Sequence, residues 1–215
     1  MALTLYYHPL SSFCMKVLIP LYENGVAFEK KLIDLGDADS RAELLKVWPI
    51  GRFPVLRDDA TDHTVPESTI IIEYLDQRFP GPALLIPPDP DLARQTRLRD
   101  RFYDLCVEVP VQKIVGDRLR PEAAKDPFGV EQARSQLRTA YALIEQDMAG
   151  RTWAMGEAFT MADCSAAPAL FYAARVEPFA PGQKALAAYL ERLKARPSFA
   201  RALKEAEPYF HMFPA

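Results

Sequence analysis

The pattern of hydrophobic and polar positions changes near residue 80. Before it, short β-rich runs alternate with helical spacing; beyond it, strand signals nearly vanish. Leu3-Thr4-Leu5-Tyr6-Tyr7 reads as a strand that stops at His8-Pro9. Ser11-Ser12 then offers a cap for a helix in which Val17, Leu18, Leu21 and Tyr22 recur at helical spacing up to Asn24-Gly25. Pro20 falls inside this helix and should kink it, because proline removes a backbone hydrogen bond. Residues 27–33 read as a second strand and 40–47 as one or two helical turns. Pro54 to Arg57 and Thr64 to Pro66 read as two further strands, and a helix from Ser68 turns Ile71, Ile72 and Leu75 inward.

The order β-α-β-α-β-β-α predicts a thioredoxin-like α/β domain over residues 1–80. Five prolines between positions 80 and 90 break regular structure and predict a linker over 81–90. Helical periodicity over 92–117, 130–148, 161–176, 183–195 and 199–205 predicts an all-helical domain over 91–215. Within it, Thr160 followed by Asp163 reads as a capping box, a structural device.

Composition narrows the function classes. The 215 residues are 49% hydrophobic and 26% charged, as in a soluble globular chain. A net charge of -3 gives no global case for nucleic acid or an anionic membrane, and no apolar run approaches the roughly 20 residues of a membrane span. The first residues lack a signal-peptide pattern. Cys14, Cys106 and Cys164 are too few and too scattered for a disulfide framework, and the three histidines show no metal-ligand spacing. A cytoplasmic location and no metal are expected.

Three short segments carry candidate chemistry. Gly51-Arg52-Phe53-Pro54-Val55-Leu56 is a turn entering a strand through a proline, a position that leaves backbone groups outside the ladder. Glu67-Ser68 opens a helix, where free N–H groups suit a carboxylate; a plain cap would look the same. Ser11-Ser12 stands at the first strand-helix junction, where a hydroxyl and a helix N-terminus could stabilise an anion; both could equally be caps. Cys14 lies about a turn into the helix and reads as a packing residue.

With the aromatic strand before Leu10-Ser11-Ser12, these segments resemble the cytosolic glutathione transferase family over essentially the whole chain, in particular bacterial serine-type, theta- or zeta-like members. The resemblance implies a cis bond before Pro54, with Phe53 pairing through its backbone to the cysteinyl part of glutathione. It implies that Glu67 holds the γ-glutamyl amino group and Ser68 its carboxylate. Arg52 or Lys46 would meet the glycyl end, although Trp48 stands where relatives often carry asparagine. Ser11 falls at the catalytic serine, and Ser12 could share or replace it. Tyr6 and Tyr7 compete as strand-end phenols, but Tyr7 fits better as a pocket residue with Leu10. Asp100 or Asp104 would reach the glutathione of the partner subunit in a homodimer.

The thiol of glutathione has a pKa near 8.5, and lowering it by about two units needs roughly 2.7 kcal/mol. One hydrogen bond to the charged sulfur supplies about 1.5–3 kcal/mol and a helix N-terminus up to about 2, so a serine suffices. The implied activity is attack of that thiol on a hydrophobic electrophile, with glutathione as co-substrate and no metal or nucleotide. Alternatives are a glutathione-dependent isomerase, weakened because Phe13 stands where such enzymes carry cysteine, a reductive dehalogenase or etherase, and a non-catalytic binding or scaffold protein. The aromatic tail 209–213 would close over the co-substrate or pack on the helical domain.

Overall fold

The computed structural model describes residues 3–214. Four strands, β1 (Leu3–Tyr7), β2 (Glu29–Leu32), β3 (Val55–Asp58) and β4 (His63–Pro66), form a sheet in the order β2-β1-β3-β4. β1 pairs parallel with β2 and antiparallel with β3, and β3 pairs antiparallel with β4. Three helices complete this unit: α1 (Ser12–Glu23), α2 (Ala38–Val47) and α3 (Ser68–Arg78). The α/β unit followed by an all-helical one is the predicted architecture.

β1 is one of the two inner strands, and burial alternates along it: Leu3, Leu5 and Tyr7 are buried, while Thr4 and Tyr6 are only half-buried. α1 is buried from Cys14 to Leu21 without a break, because the sheet domain covers one side and the helical domain the other. Pro20 does not end it. Asn24 donates its N–H to the Pro20 carbonyl, closing the last turn. α2 starts before the predicted turns, since Asp37 caps it by accepting from the Ser40 N–H at 2.7 Å.

The helical part comprises α4 (Pro90–Phe102), α5 (Val109–Arg118), α6 (Pro127–Met148), α7 (Met161–Val176), α8 (Lys184–Ala195) and α9 (Pro197–Ala206), then a 3₁₀ stretch at Glu207–Met212. The helix predicted over 92–117 is in fact three joined pieces. A π-helical stretch, Tyr103–Glu108, lies between α4 and α5, and Val109 donates to the Asp104 carbonyl five residues back. Pro110 follows directly and lacks the N–H that would bond an ordinary α-turn. α6 begins earlier than predicted, because Pro127 takes the first helical position and Asp126 caps Gly129 at 2.9 Å. α7 is the centre of the helical part, buried on nearly every face.

The segment joining the two parts is anchored. Asn24 bonds both backbone groups of Ala83, at 2.9 and 3.3 Å, and Met161 N–H donates to the Leu85 carbonyl at 2.9 Å. The capping box at the start of α7 is present, with the Asp163 carboxylate also accepting from Ala154 N–H at 2.8 Å and the Tyr189 hydroxyl at 2.6 Å. Among the described residues no helix is long and apolar enough to cross a membrane.

Candidate active site

Two cavities meet where the domains face each other. The first, about 220 Å³, is walled on the sheet side by Trp48, Arg52, Phe53, Pro54, Glu67 and Ser68. Arg101, Asp104, Leu105 and Val109 close it from the helical side. The Phe53–Pro54 bond is cis, as predicted, and the N–H and C=O of Phe53 make no hydrogen bond among the described residues. An extended peptide laid against this edge would find both groups free.

Glu67 precedes α3 with φ 70° and ψ 118°, a left-handed backbone that glutamate adopts reluctantly. Its carboxylate is exposed, caps nothing and forms no ion pair among the described residues. The predicted helix start at Ser68 therefore becomes a first helical residue preceded by an acid in an unusual conformation. Ser68 itself is buried at the wall of the cavity, at the positive end of α3. Arg52 lines this cavity, while Lys46 lies exposed on α2 and does not. Of the two candidates, only Arg52 lines the cavity.

The second cavity, about 340 Å³, is lined by Leu10, Ser11 and Ser12 from the β1–α1 junction, by Glu108, Val111, Gln112 and Val115 around the start of α5, and by Tyr172 of α7. Phe213 and Pro214 of the tail also line it, while Phe210 packs back on the helical core. Phe213 also stacks on Tyr172, with ring centroids 5.3 Å apart. Gln112 lines both cavities and marks their junction.

The two serines differ in hydrogen bonding. Ser11 caps α1, its hydroxyl oxygen accepting from the Cys14 N–H at 3.3 Å, which leaves the hydroxyl proton uncommitted among the described residues. Ser12 is buried, and its hydroxyl donates to Glu108 Oε1 at 2.6 Å. Leu10 is fixed by the Tyr172 hydroxyl, which donates to its carbonyl at 2.7 Å.

Tyr7 departs from its predicted place. It is buried in the core, lines neither cavity, and burial pushes its phenol up to about 12, with the Glu205 charge adding to the effect. Cys14 is fully buried and its thiol is pushed up to about 12 by burial, against the hydrogen bond to Ser11. It is a packing residue.

Asp100 and Asp104 also depart from prediction. Both turn inward onto Lys16 of α1, whose ammonium lies 2.7 Å from Asp100 and 2.8 Å from Asp104. Thr69 of α3 donates to Asp100 at 2.7 Å, and Ser165 of α7 donates to Asp104 at 2.8 Å. Asp100 is fully buried within the chain, whereas Asp104 also lines the first cavity.

Glu108 was not anticipated. It is the one charged residue in the run Leu105-Cys106-Val107-Glu108-Val109-Pro110-Val111, and an acid isolated among apolar neighbours was the available signal. Burial pushes its carboxyl up to about 8; Ser12 opposes the shift and the Asp104 charge reinforces it.

Comparison with known proteins accords with this geometry. A profile described as "Glutathione S-transferase, N-terminal domain" matches residues 5–83, and one described as "Glutathione S-transferase, C-terminal domain" matches 127–203. The chain is 32% identical over 212 residues to a stringent starvation protein A homolog of Haemophilus influenzae, covering 96% of this chain and 92% of that one. A glutathione S-transferase of Pseudomonas putida is 28% identical over 162 residues, covering 75% and 70%. Among solved structures, a glutathione S-transferase from Methylobacillus flagellatus with GSH bound superposes with a TM-score of 0.84 at 25% identity, covering 94% of this chain and 98% of that one. Another, from Methylobacterium radiotolerans in complex with glutathione sulfonate, gives 0.80 at 29%, covering 94% of each. Two matched domains, a full-length fold and a cleft of this build make the chain a member of the glutathione transferase family.

Proposed function

We propose that this protein is a serine-type glutathione transferase, of the theta- or zeta-like kind. Glutathione lies in the first cavity along Phe53 and Pro54, with its γ-glutamyl end at Glu67 and Ser68 and its glycyl carboxylate near Arg52. Its sulfur reaches the β1–α1 junction, where Ser11 donates the proton it has free and the N-terminus of α1 adds its positive potential. The thiolate attacks a hydrophobic electrophile held among Leu10, Val111, Val115, Tyr172 and Phe213. The protein works in the cytoplasm as a homodimer; exposed Leu98, Leu105 and Leu143 offer apolar surface for the second copy.

The observation that carries this reading is the hydroxyl proton of Ser11 at the second cavity, beside a first cavity where the Phe53 backbone groups, the Glu67 carboxylate and the Ser68 hydroxyl have no hydrogen-bond partner among the described residues. Retention on immobilised glutathione tests the first half, and turnover of 1-chloro-2,4-dinitrobenzene by wild type against Ser11→Ala tests the second.

The name shared by whole-length relatives at 28–32% identity favours a second reading, a starvation-related binding or scaffold protein that keeps the pocket with little turnover. Resin retention without serine-dependent turnover selects it over the first.

A further inference from the structure

Glu108 is the buried group that thiol activation by Ser11 leaves without a task. Its side chain lines the second cavity and is 96% buried by residue surface, being 4% exposed. One oxygen, Oε1, is 2.6 Å from Ser12 Oγ, and Oε2 is buried with no hydrogen-bond partner among the described residues. An ionised carboxylate with one oxygen bare in an apolar wall is costly; a neutral carboxyl there is far cheaper. The polar and charged groups around it are Ser12 and Lys16 of α1, Asp104 of the π-helical stretch, Gln112 a turn further on, and Tyr172 of α7. Burial, and after it the Asp104 charge, favour the neutral form; the Ser12 hydroxyl, the nearby Gln112 amide and the Lys16 charge oppose it.

With the proton on Oε1, the 2.6 Å contact reverses: Glu108 donates, Ser12 Oγ accepts, and the proton of Ser12 is free to turn toward the cavity that Ser12 also lines. Ser11 and Ser12 then have separate work, one holding the sulfur anion and the other presenting a proton backed by an acid.

We propose that Glu108, acting through Ser12, delivers a proton to the co-substrate, and that the preferred electrophiles are α,β-unsaturated carbonyl compounds. The inference rests on the glutathione-transfer reading above. In such an addition the thiolate forms a carbon–sulfur bond at the β-carbon, and the π electrons move onto the carbonyl as an enolate. Ser12 gives its proton to the enolate oxygen and takes one from Glu108. The enol then becomes the saturated carbonyl, and the carboxylate of Glu108 recovers a proton from the next thiol to ionise. Atoms balance with no further reagent. Displacement of chloride from a nitroarene differs, because it expels an anion and needs no proton.

The test pairs an aryl-conjugated enone, 4-phenylbut-3-en-2-one, with 1-chloro-2,4-dinitrobenzene. Positioned general acids contribute about a hundredfold or more, so Glu108→Gln should lower kcat on the enone by roughly that factor. The ratio of enone to arene turnover should fall at least about tenfold. In wild type the same ratio should decline as pH rises past about 8, a limb absent from Glu108→Gln. A readout needing no turnover is the infrared carbonyl stretch of a protonated carboxyl in the ligand-free protein, present at pH 7, lost as pH passes about 8, and missing from Glu108→Gln. An unchanged ratio, or a carboxyl already ionised at pH 6, overturns the proposal while glutathione retention and arene turnover stand. No retention and no turnover of either probe overturns the transferase reading and this proposal with it.

Discussion

Lys16 and Asp100 face each other at 2.7 Å with neither side chain in contact with water, and they tie the first helix of the sheet domain to the first helix of the other. Asp104 and Thr69 share the same ammonium, at 2.8 and 2.9 Å, so one cation holds α1, α3 and the helical domain together behind the first cavity. Removing one partner of such a buried pair leaves uncompensated charge. Lys16→Met should therefore cost about 3–5 kcal/mol in urea unfolding at pH 7. Adding Asp100→Asn and Asp104→Asn should return part of that loss, because no orphan carboxylate then remains. Equal stability of Lys16→Met and wild type would refute the bridge.

Asp163 predicts a purely structural effect. Its carboxylate accepts from the backbone of Ala154 and Thr160 and from the Tyr189 hydroxyl, all buried. Asp163→Ala leaves those donors bare at about 1–3 kcal/mol each, whereas Thr160→Ala loses only a cap worth about 0.5–2. Thermal unfolding should rank the two in that order. Below the transition, retention on glutathione resin should match wild type for both.

How much of this was legible follows from how local each signal is. The capping box, the serine cap of α1 and the proline at the head of β3 are set by neighbouring residues, and the sequence displays them. The directions of Asp100 and Asp104 were not legible, because they depend on Lys16, more distant in the chain than any periodicity reaches. The π-helical stretch was missed because helical periodicity tolerates one extra residue, although Pro110 held the clue. Tyr7 was misplaced since alternation along a strand fixes which residues share a face, not which face meets the ligand.

Glu67 combines a proposed binding role with backbone strain. At φ 70°, glycine would relieve a cost on the order of 1–3 kcal/mol, offset by about 0.5–1 of extra chain entropy. Glu67→Gly should thus be neutral to slightly stabilising in urea. In the proposed binding mode the same variant lacks the carboxylate that would meet the γ-glutamyl amino group, so its glutathione Kd by calorimetry should rise about tenfold or more. Loss of stability together with unchanged affinity would reverse both assignments.

Glu108 should leave a mark on stability as well as on turnover. Its folded value of about 8 lies above the ordinary 4.5, so the native state keeps a proton that the unfolded chain has already released. Its contribution is then fully present below about pH 4.5 and is lost as pH rises toward 8. Glu108→Gln has no such loss. The variant should gain on wild type by a few kcal/mol between pH 5 and pH 8 in paired urea titrations. A constant difference across that range would mean that Glu108 titrates normally.

Ser11 carries the chemistry of the proposed reaction. Its oxygen is occupied by Cys14 N–H, so its role toward a thiolate is donation, and alanine removes both interactions. Losing a charge-assisted bond of about 1.5–3 kcal/mol should raise the pKa of bound glutathione by roughly one to two units, followed by its ultraviolet thiolate absorbance. Turnover of the nitroarene at pH 6.5 should fall about ten- to hundredfold and recover in part at higher pH, where the thiol ionises unaided. Cysteine at this position would restore the cap poorly and could form a mixed disulfide with glutathione, so threonine is the better conservative control. Ser11→Thr keeps a donor at the same place and should hold the thiol pKa near that of wild type. If Ser11→Ala leaves the thiolate absorbance unmoved while Ser12→Ala abolishes it, the sulfur rests on the other hydroxyl and the division of labour between the two serines is reversed.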